Sequence, residues 1–434
     1  MNKSFLVLGI LALMICAAAA GMILFGFPYS PNQPPLADDI NSTYHGVQEV
    51  VNANNQFAFD LYSEFDKSAR GNMFYSPYSI FSALAMVYEG ARGQTASEIE
   101  EVFHFPDNKI LRSNFAAIYN KINKESKSYD LRTGNALWTQ QDYQFFQNYT
   151  NRVEQYYGGR VSNLDFKQET ERSRQTINSF IEEQTNNKIK DLIPIGALSS
   201  ETKLVLTNAI YFKGTWEWEF DRSDTNDQEF KVTSNNIVQT RMMHMDSDET
   251  KFNYADLDRL QILELPYEGE KISMLILLPK QREDYDFETG ETTVFEYALA
   301  DIEFSAEKLD EYKAQMQDTK LDSISLPKFE FDAKYFMQDT LKAMGMPTAF
   351  NRNADFSRMN GNRELAIDAV IHQAYVKVDE KGTEAAAATA VVMLAMSAAP
   401  RNVFIADHPF IFIIQEKETG SILFMGRVSD PTQQ

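Results

Sequence analysis

Apolar residues recur every third or fourth position through the first half of the chain. Phe57, Leu61 and Phe65 form one such stripe, and Ile80, Leu84 and Val87 form another after a Ser76-Pro77 start signal. Thr95 to Glu98 has the form of a capping box and predicts a third helix opening there. From Lys203 the texture changes. Leu204 to Phe212 is apolar on both faces, as in a strand buried inside a covered sheet, and Ile272 to Leu278 repeats the pattern. Phe410 to Ile414 and Ile422 to Val428 flank Glu416 to Gly420, predicting a buried hairpin. Helices first and strands later predict an α+β fold.

The ends of the pattern set the domain organisation. Lys3 is followed by an uncharged apolar run from Phe5 to Phe27, with Ala18 and Ala20 offering a cleavage site. Residues 1–27 therefore read as a signal peptide or, since the run is long enough to span a bilayer, as an N-terminal membrane anchor. Lys3 on one flank and Asp38 and Asp39 on the other orient the body outward. The expected location is secreted or tethered to the outer face of the cell membrane. Residues 28–45, with Pro28, Pro31, Pro34 and Pro35, read as a linker, and 46–434 as one large domain. Cys16 is the only cysteine and lies in the leader, so no disulfide is expected in the body.

Charge narrows the function classes. A formal net charge of -21 over 434 residues argues against a general nucleic-acid binder, which needs clustered Lys and Arg. Lys109, Arg112, Lys121, Lys124, Lys127 and Arg132 are read as an ordinary solvated face rather than a polyanion site. The acidic stretch between Pro279 and Pro327, with Glu283, Asp284, Asp286, Glu288 and Glu291, is read as a solvated loop or exposed helix. His45, His104, His244, His372 and His408 form no zinc-helix pattern, and there is no Gly-x-Ser-x-Gly elbow or phosphate-cradling glycine loop. No metal or cofactor is expected. A Ser-His-Asp triad assembles only in space, so an exported hydrolase stays open as an alternative. Asn41 and Asn148 begin glycosylation sequons.

Asp379 to Pro400 carries the functional signal. Read alone it is an alanine-rich helix capped by Thr383 and stopped before Pro400. Read with period two, Thr383, Ala385, Ala387, Thr389, Val391 and Met393 line one face of a strand, and Glu384, Ala386, Ala388, Ala390 and Val392 the other. Side chains this small would let the segment slide between two existing strands. A sequence with several available conformations is a candidate switch.

Glu380 to Ala390 resembles the hinge of the inhibitory serpins. Asn72 to Ile80, Leu206 to Trp216, Leu326 to Phe329, Ala354 to Ser357 and Leu423 to Val428 resemble serpin signatures in the family's order, across roughly residues 50–431. The resemblance implies a serpin fold, with N-terminal helices packed on large, mostly antiparallel sheets and an exposed reactive-centre loop. It also implies suicide inhibition of a serine protease, with the cut loop inserting into the main sheet. The implied reactive bond is Met396-Ser397, and the implied hinge is Glu380, Gly382, Thr383, Glu384, Ala385, Ala386, Ala387, Ala388 and Thr389. Ser76, Ser79, Asn208 and His372 match the family's shutter, and Trp216, Lys328 and Glu380 its breach. An apolar, unbranched Met396 suits elastase-, chymotrypsin- or subtilisin-like targets, in a 1:1 covalent complex with a monomeric inhibitor. A non-inhibitory serpin-fold binding protein is the first alternative. The acidic stretch before Leu326 is longer than the family pattern and reads as a tolerated insertion.

Overall fold

The computed structural model describes residues 36–68, 71–123, 128–246, 250–280, 282–285, 292–295, 299, 302–383 and 402–433. The leader, residues 28–35 and the span 384–401 lie outside them. None of the described helices is long and apolar enough to cross a membrane.

In chain order the elements are α1 (Tyr44–Asp66), β1 (Met73–Tyr75), α2 (Pro77–Tyr88), α3 (Gly93–Phe103), α4 (Asn108–Ile122), β2 (Tyr129–Thr133), β3 (Ala136–Gln140), α5 (Gln147–Tyr157), β4 (Arg160–Leu164), α6 (Thr170–Gln184) and β5 (Leu204–Thr215). Then come β6 (Asn226–Thr233), β7 (Asn236–Asp246), β8 (Lys251–Asp256), β9 (Leu260–Pro266), β10 (Ile272–Pro279), β11 (Arg282–Tyr285) and β12 (Thr292–Phe295). They are followed by α7 (Ala306–Lys313), β13 (Gln317–Lys320), β14 (Ser323–Pro327), β15 (Phe329–Phe336), α8 (Met337–Met344) and α9 (Ser357–Asn360). The chain ends with β16 (Ala369–Asp379), β17 (Gly382–Thr383), β18 (Val403–Ile405), β19 (Phe410–Glu416) and β20 (Ile422–Val428). This is the α+β architecture expected from the residue pattern.

The main sheet has the order β15-β16-β17-β5-β3-β4, with β2 also on β5. A second sheet runs β1-β20-β19-β10-β9-β8-β13, and a small one β18-β14-β7-β6. Strand β5 shows why its sequence is apolar on both faces. Leu204, Leu206, Ile210 and Phe212 enter the large core shared with the second sheet and α2, while Val205 and Ala209 enter a smaller core with Ile177 and Ile181 of α6. Helix α2 starts where its sequence says it should. Ser76 caps it by accepting from Ser79 N–H, Pro77 opens the first turn, and every residue from Pro77 to Tyr88 is buried.

Several expectations are corrected. Helix α3 begins at Gly93, two residues before Thr95, and its N-cap Arg92 makes no side-chain cap bond. The hydroxyl and carboxylate read as a capping box are used for tertiary contacts: Thr95 Oγ1 accepts from Asp355 N–H at 2.9 Å, and Glu98 accepts from Thr348 at 2.6 and 2.8 Å. The acidic stretch is neither loop nor helix at Glu283 and Asp284, which sit in the β11–β12 antiparallel pair. Asp286, Glu288 and Glu291 lie outside the described residues. The first half also holds β1 to β4, strands of three to five residues that are too short for alternation to stand out against helical stripes. Tyr44 and His45 are already helical. Ahead of them Ala37 is buried and exchanges backbone bonds with the Asn120 amide at 2.7 and 2.8 Å, so the described end of the expected linker is seated on the body.

Candidate functional site

The main sheet is joined differently at its two ends. In its lower part β5 and β16 run parallel in direct contact, from Val205↔Ala369 to Ile210↔Ala374. At the upper end β17 lies between them, antiparallel to both: Gly382 pairs with Asp379 and Thr215, and Thr383 with Val378 and Gly214. The two ladders leave a three-residue interval on each strand, 211–213 and 375–377. Thr383 is therefore a strand residue and not the cap of a helix. Glu384, Ala385, Ala386, Ala387, Ala388, Thr389, Met396 and Ser397 fall outside the described residues.

Tight packing surrounds this wedge. Thr383 is 2% exposed and its Oγ1 lies 2.7 Å from Tyr267 Oη. The Tyr267 ring stacks on Trp216 with centroids 4.5 Å apart, and Trp216 Nε1 donates to the Asp379 carbonyl at 3.1 Å. The Trp216 and Phe220 backbone N–H groups donate to the carbonyls of Lys381 and Glu380 at 2.8 and 2.9 Å. These bonds fasten the turn that feeds β17. Lys328 Nζ holds both oxygens of Glu380 at 2.7 and 2.9 Å. Burial works to raise the Glu380 pKa, but the hydrogen bond from Lys328 helps bring it below the usual carboxylate range. Burial pushes the neighbouring Asp379 carboxyl up instead.

Gly382 has a specific reason to be glycine. Its φ is +147°, and a Cβ there would stand 2.0 Å from the Gly214 carbonyl oxygen and 2.9 Å from Thr215 Cα, both backbone atoms. Gly382→Ala is expected to expel β17 from its place and to destabilise the upper sheet by about 1–3 kcal/mol. Limited proteolysis between Glu380 and Glu384 would show it as faster cleavage; unchanged protection would mean the wedge does not depend on this backbone shape.

Below the wedge, Ser76, Ser79, Asn208 and His372 meet in one network, each no more than 1% exposed. Ser76 N–H donates to His372 Nε2 at 3.1 Å, which leaves the ring proton on Nδ1, facing Asn208 Oδ1. Asn208 Nδ2 donates to Ser79 Oγ at 2.6 Å and to Asn135 Oδ1 at 2.5 Å, and Ser76 Oγ donates to the Leu423 carbonyl at 2.6 Å. The network ties β5 and β16 to α2 and to β20. Sequence reading missed two members of the site. Asn135, in the short turn between β2 and β3, bridges Ser79, Ser82 and Asn208, and Tyr267 buttresses Thr383 from the end of β9. Neither belongs to a recognisable motif.

His372 carries a pH consequence. Burial pushes its pKa from 6.5 down to about 3. The unfolded chain takes up a proton as pH falls through 6.5, while the folded ring stays neutral. The associated stability is thus complete above pH 6.5 and is lost progressively as pH falls toward 3, amounting to about 2 kcal/mol at pH 5. Denaturation midpoints measured from pH 7 to 5 should fall, and His372→Gln should flatten the slope. An equal slope in the variant would assign the effect to other groups.

The remaining candidates resolve plainly. Arg112 pairs with Glu89, Lys121 with Glu416 and Glu418, and Arg132 with Asp130, so these bases are engaged in intramolecular pairs. Lys124 and Lys127 lie outside the described residues. A hydrolase needs a serine beside a basic histidine. His244 Nδ1 lies 2.8 Å from Ser325 Oγ, but Gln228 Nε2 is 3.0 Å from the other ring nitrogen and casts it as the acceptor. The ring then donates to the hydroxyl instead of taking its proton, and burial lowers the His244 pKa further.

Comparisons with known proteins agree with this geometry. Residues 52–431 match the family model described as serpin (serine protease inhibitor). An uncharacterised serpin-like protein of Methanosarcina acetivorans is 39% identical over 90% of each chain. Human Serpin B3 is 40% identical over 89% of this chain and all of its own, and rat leukocyte elastase inhibitor A is 37% identical with the same coverage. Among solved structures, Serpin48 of the insect Tenebrio molitor superposes with a TM-score of 0.74 at 31% identity, covering 88% of this chain and 98% of that one. Uncleaved ovalbumin superposes with a TM-score of 0.76 at 31% identity, covering 88% and 100%. The chain belongs to the serpin family.

Proposed function

We propose that this protein inhibits an extracellular serine protease by offering Met396-Ser397 as bait and trapping the enzyme as a covalent acyl complex. The protease serine attacks the Met396 carbonyl, the bond to Ser397 breaks, and the Ser397 amine leaves with its proton while Met396 stays esterified to the enzyme. The severed strand then fills the main sheet. The observation that carries this reading is β17, two residues already paired between β5 and β16 and pointing down the interval between them.

Continuing that register, residues 384–386 take the levels of 211–213 and 375–377. Residues 387–392 take the place of the six β5–β16 pairs below. Thr389 arrives level with Asn208 and His372, so the bond between those two side chains must open for the strand to pass. Small alternating side chains from Ala385 to Thr389 suit that passage, which is why the inhibitory reading is favoured over a non-inhibitory binding protein. Incoming residues gain partners on both sides, which supplies the free energy. The native form is held by kinetics.

The protein is read as a monomer, secreted or held at the outer face of the membrane by its leader, needing no cofactor. Incubation with elastase, chymotrypsin, subtilisin and trypsin should give an SDS-stable 1:1 adduct with at least one of the first three. Cleavage without any adduct would sink the trapping reading. Met396→Arg should shift preference to trypsin-like enzymes by about two orders of magnitude in association rate, a primary-pocket charge pair being worth about 3 kcal/mol. Unchanged selectivity would place the reactive bond elsewhere.

A further inference from the structure

We propose that the segment Leu36–Tyr44 is a membrane-contact surface, lying against the lipid interface when the leader stays in place as an anchor. This rests on the anchor reading of the leader given above and assigns a partner to described residues. Leu36, Ile40 and Tyr44 are 81%, 86% and 84% exposed, three of nine exposed large hydrophobics among the described residues, and they fall within nine positions. A single exposed leucine means little; a cluster on a seated segment needs an occupant.

Polar Asn41 and Thr43 are also exposed along this segment, while its acids are half-buried. Its two acids are turned toward the body: Asp38 Oδ2 accepts from Gln155 Nε2 at 2.7 Å, and Asp39 Oδ2 from Asn120 Nδ2 at 3.0 Å. Thr43 N–H donates to Asn114 Oδ1 at 2.8 Å. Helices α4 and α5 thus hold the backbone, and the apolar side chains at every fourth position are left facing out.

Chain length selects the occupant. The apolar run ends at Phe27, and the nine steps to Leu36 reach at most about 30 Å when extended. An anchored leader therefore confines this face to the neighbourhood of the lipid headgroups, where Leu, Ile and Tyr partition readily. A second copy is a poorer occupant, because chains of net charge -21 repel one another. The same charge disfavours anionic lipid, so the matching surface is zwitterionic.

The test uses the full chain with Cys16→Ser and Ile40→Cys, the new thiol carrying an environment-sensitive nitrobenzoxadiazole label. It is reconstituted into phosphatidylcholine vesicles with and without doxyl-labelled lipid. The reference is the same label at Glu183→Cys, an exposed position on α6. The expected result is a blue-shifted Ile40 label quenched by doxyl lipid, with the Glu183 label unaffected. An Ile40 label as water-like as the reference overturns the proposal, as does one that is shielded but not quenched, since protein would then cover it. Failure of the chain to float with vesicles removes the anchor and the proposal together. Adduct formation with protease is read separately and is untouched by these outcomes.

Discussion

Thr383→Arg is expected to abolish covalent trapping and turn the inhibitor into an ordinary substrate. Thr383 is 2% exposed, its hydroxyl meets Tyr267, and its backbone is paired on both sides. A guanidinium in that position is set against the Tyr267 hydroxyl and the backbone of Val378 and Gly214, and a buried charge held without a partner costs about 3 kcal/mol or more. The variant's native form is expected to leave this slot, so insertion has to bury the charge anew, which slows the step about a hundredfold and lets hydrolysis of the acyl-enzyme take over. Gel analysis after incubation with a reactive protease should show cut inhibitor and free enzyme. A surviving SDS-stable adduct would show that insertion does not pass through the Thr383 slot.

Cleavage near Met396 should make the protein far more resistant to heat. In the register set by β17, residues 384–392 become a strand bonded to both β5 and β16. About nine residues at roughly 1 kcal/mol each amount to about 9 kcal/mol. For a body of roughly 400 residues, with an unfolding entropy near 2.1 cal/mol/K per residue, this raises the unfolding temperature by about 11 °C. Differential scanning calorimetry of intact and nicked protein checks it, and equal transitions would mean that the severed loop stays outside the sheet.

Much of this site is legible in the order of residues alone, and the reasons are local. Ser76-Pro77 marks a helix start through capping chemistry that needs no tertiary partner, and β5 declares its double burial in its own composition. The proposed hinge stands out in sequence because a helix-forming alanine run also alternates cleanly with period two, though residues 384–389 lie outside the described ones. What stays hidden depends on distant groups. Asn135 matters only because Ser79 and Asn208 converge on it from 56 and 73 residues away. Tyr267 lies 116 residues from Thr383 in sequence. Thr95 and Glu98 mislead for the same reason: their capping chemistry is used to hold the 348–355 segment.

The two-residue strand β17 has a further consequence, for timing. A peptide entering a sheet from solution must first find its register, and that search carries the nucleation penalty of ordering several residues for the first bond. Here the first tooth of the fastener is already engaged, so the slider needs only to travel. In the proposed insertion the first three steps fill the interval at 211–213 and 375–377, each later step exchanges one contact between neighbours for two with the newcomer, and the clock that decides capture against escape starts at the first broken pair, Ile210 and Ala374.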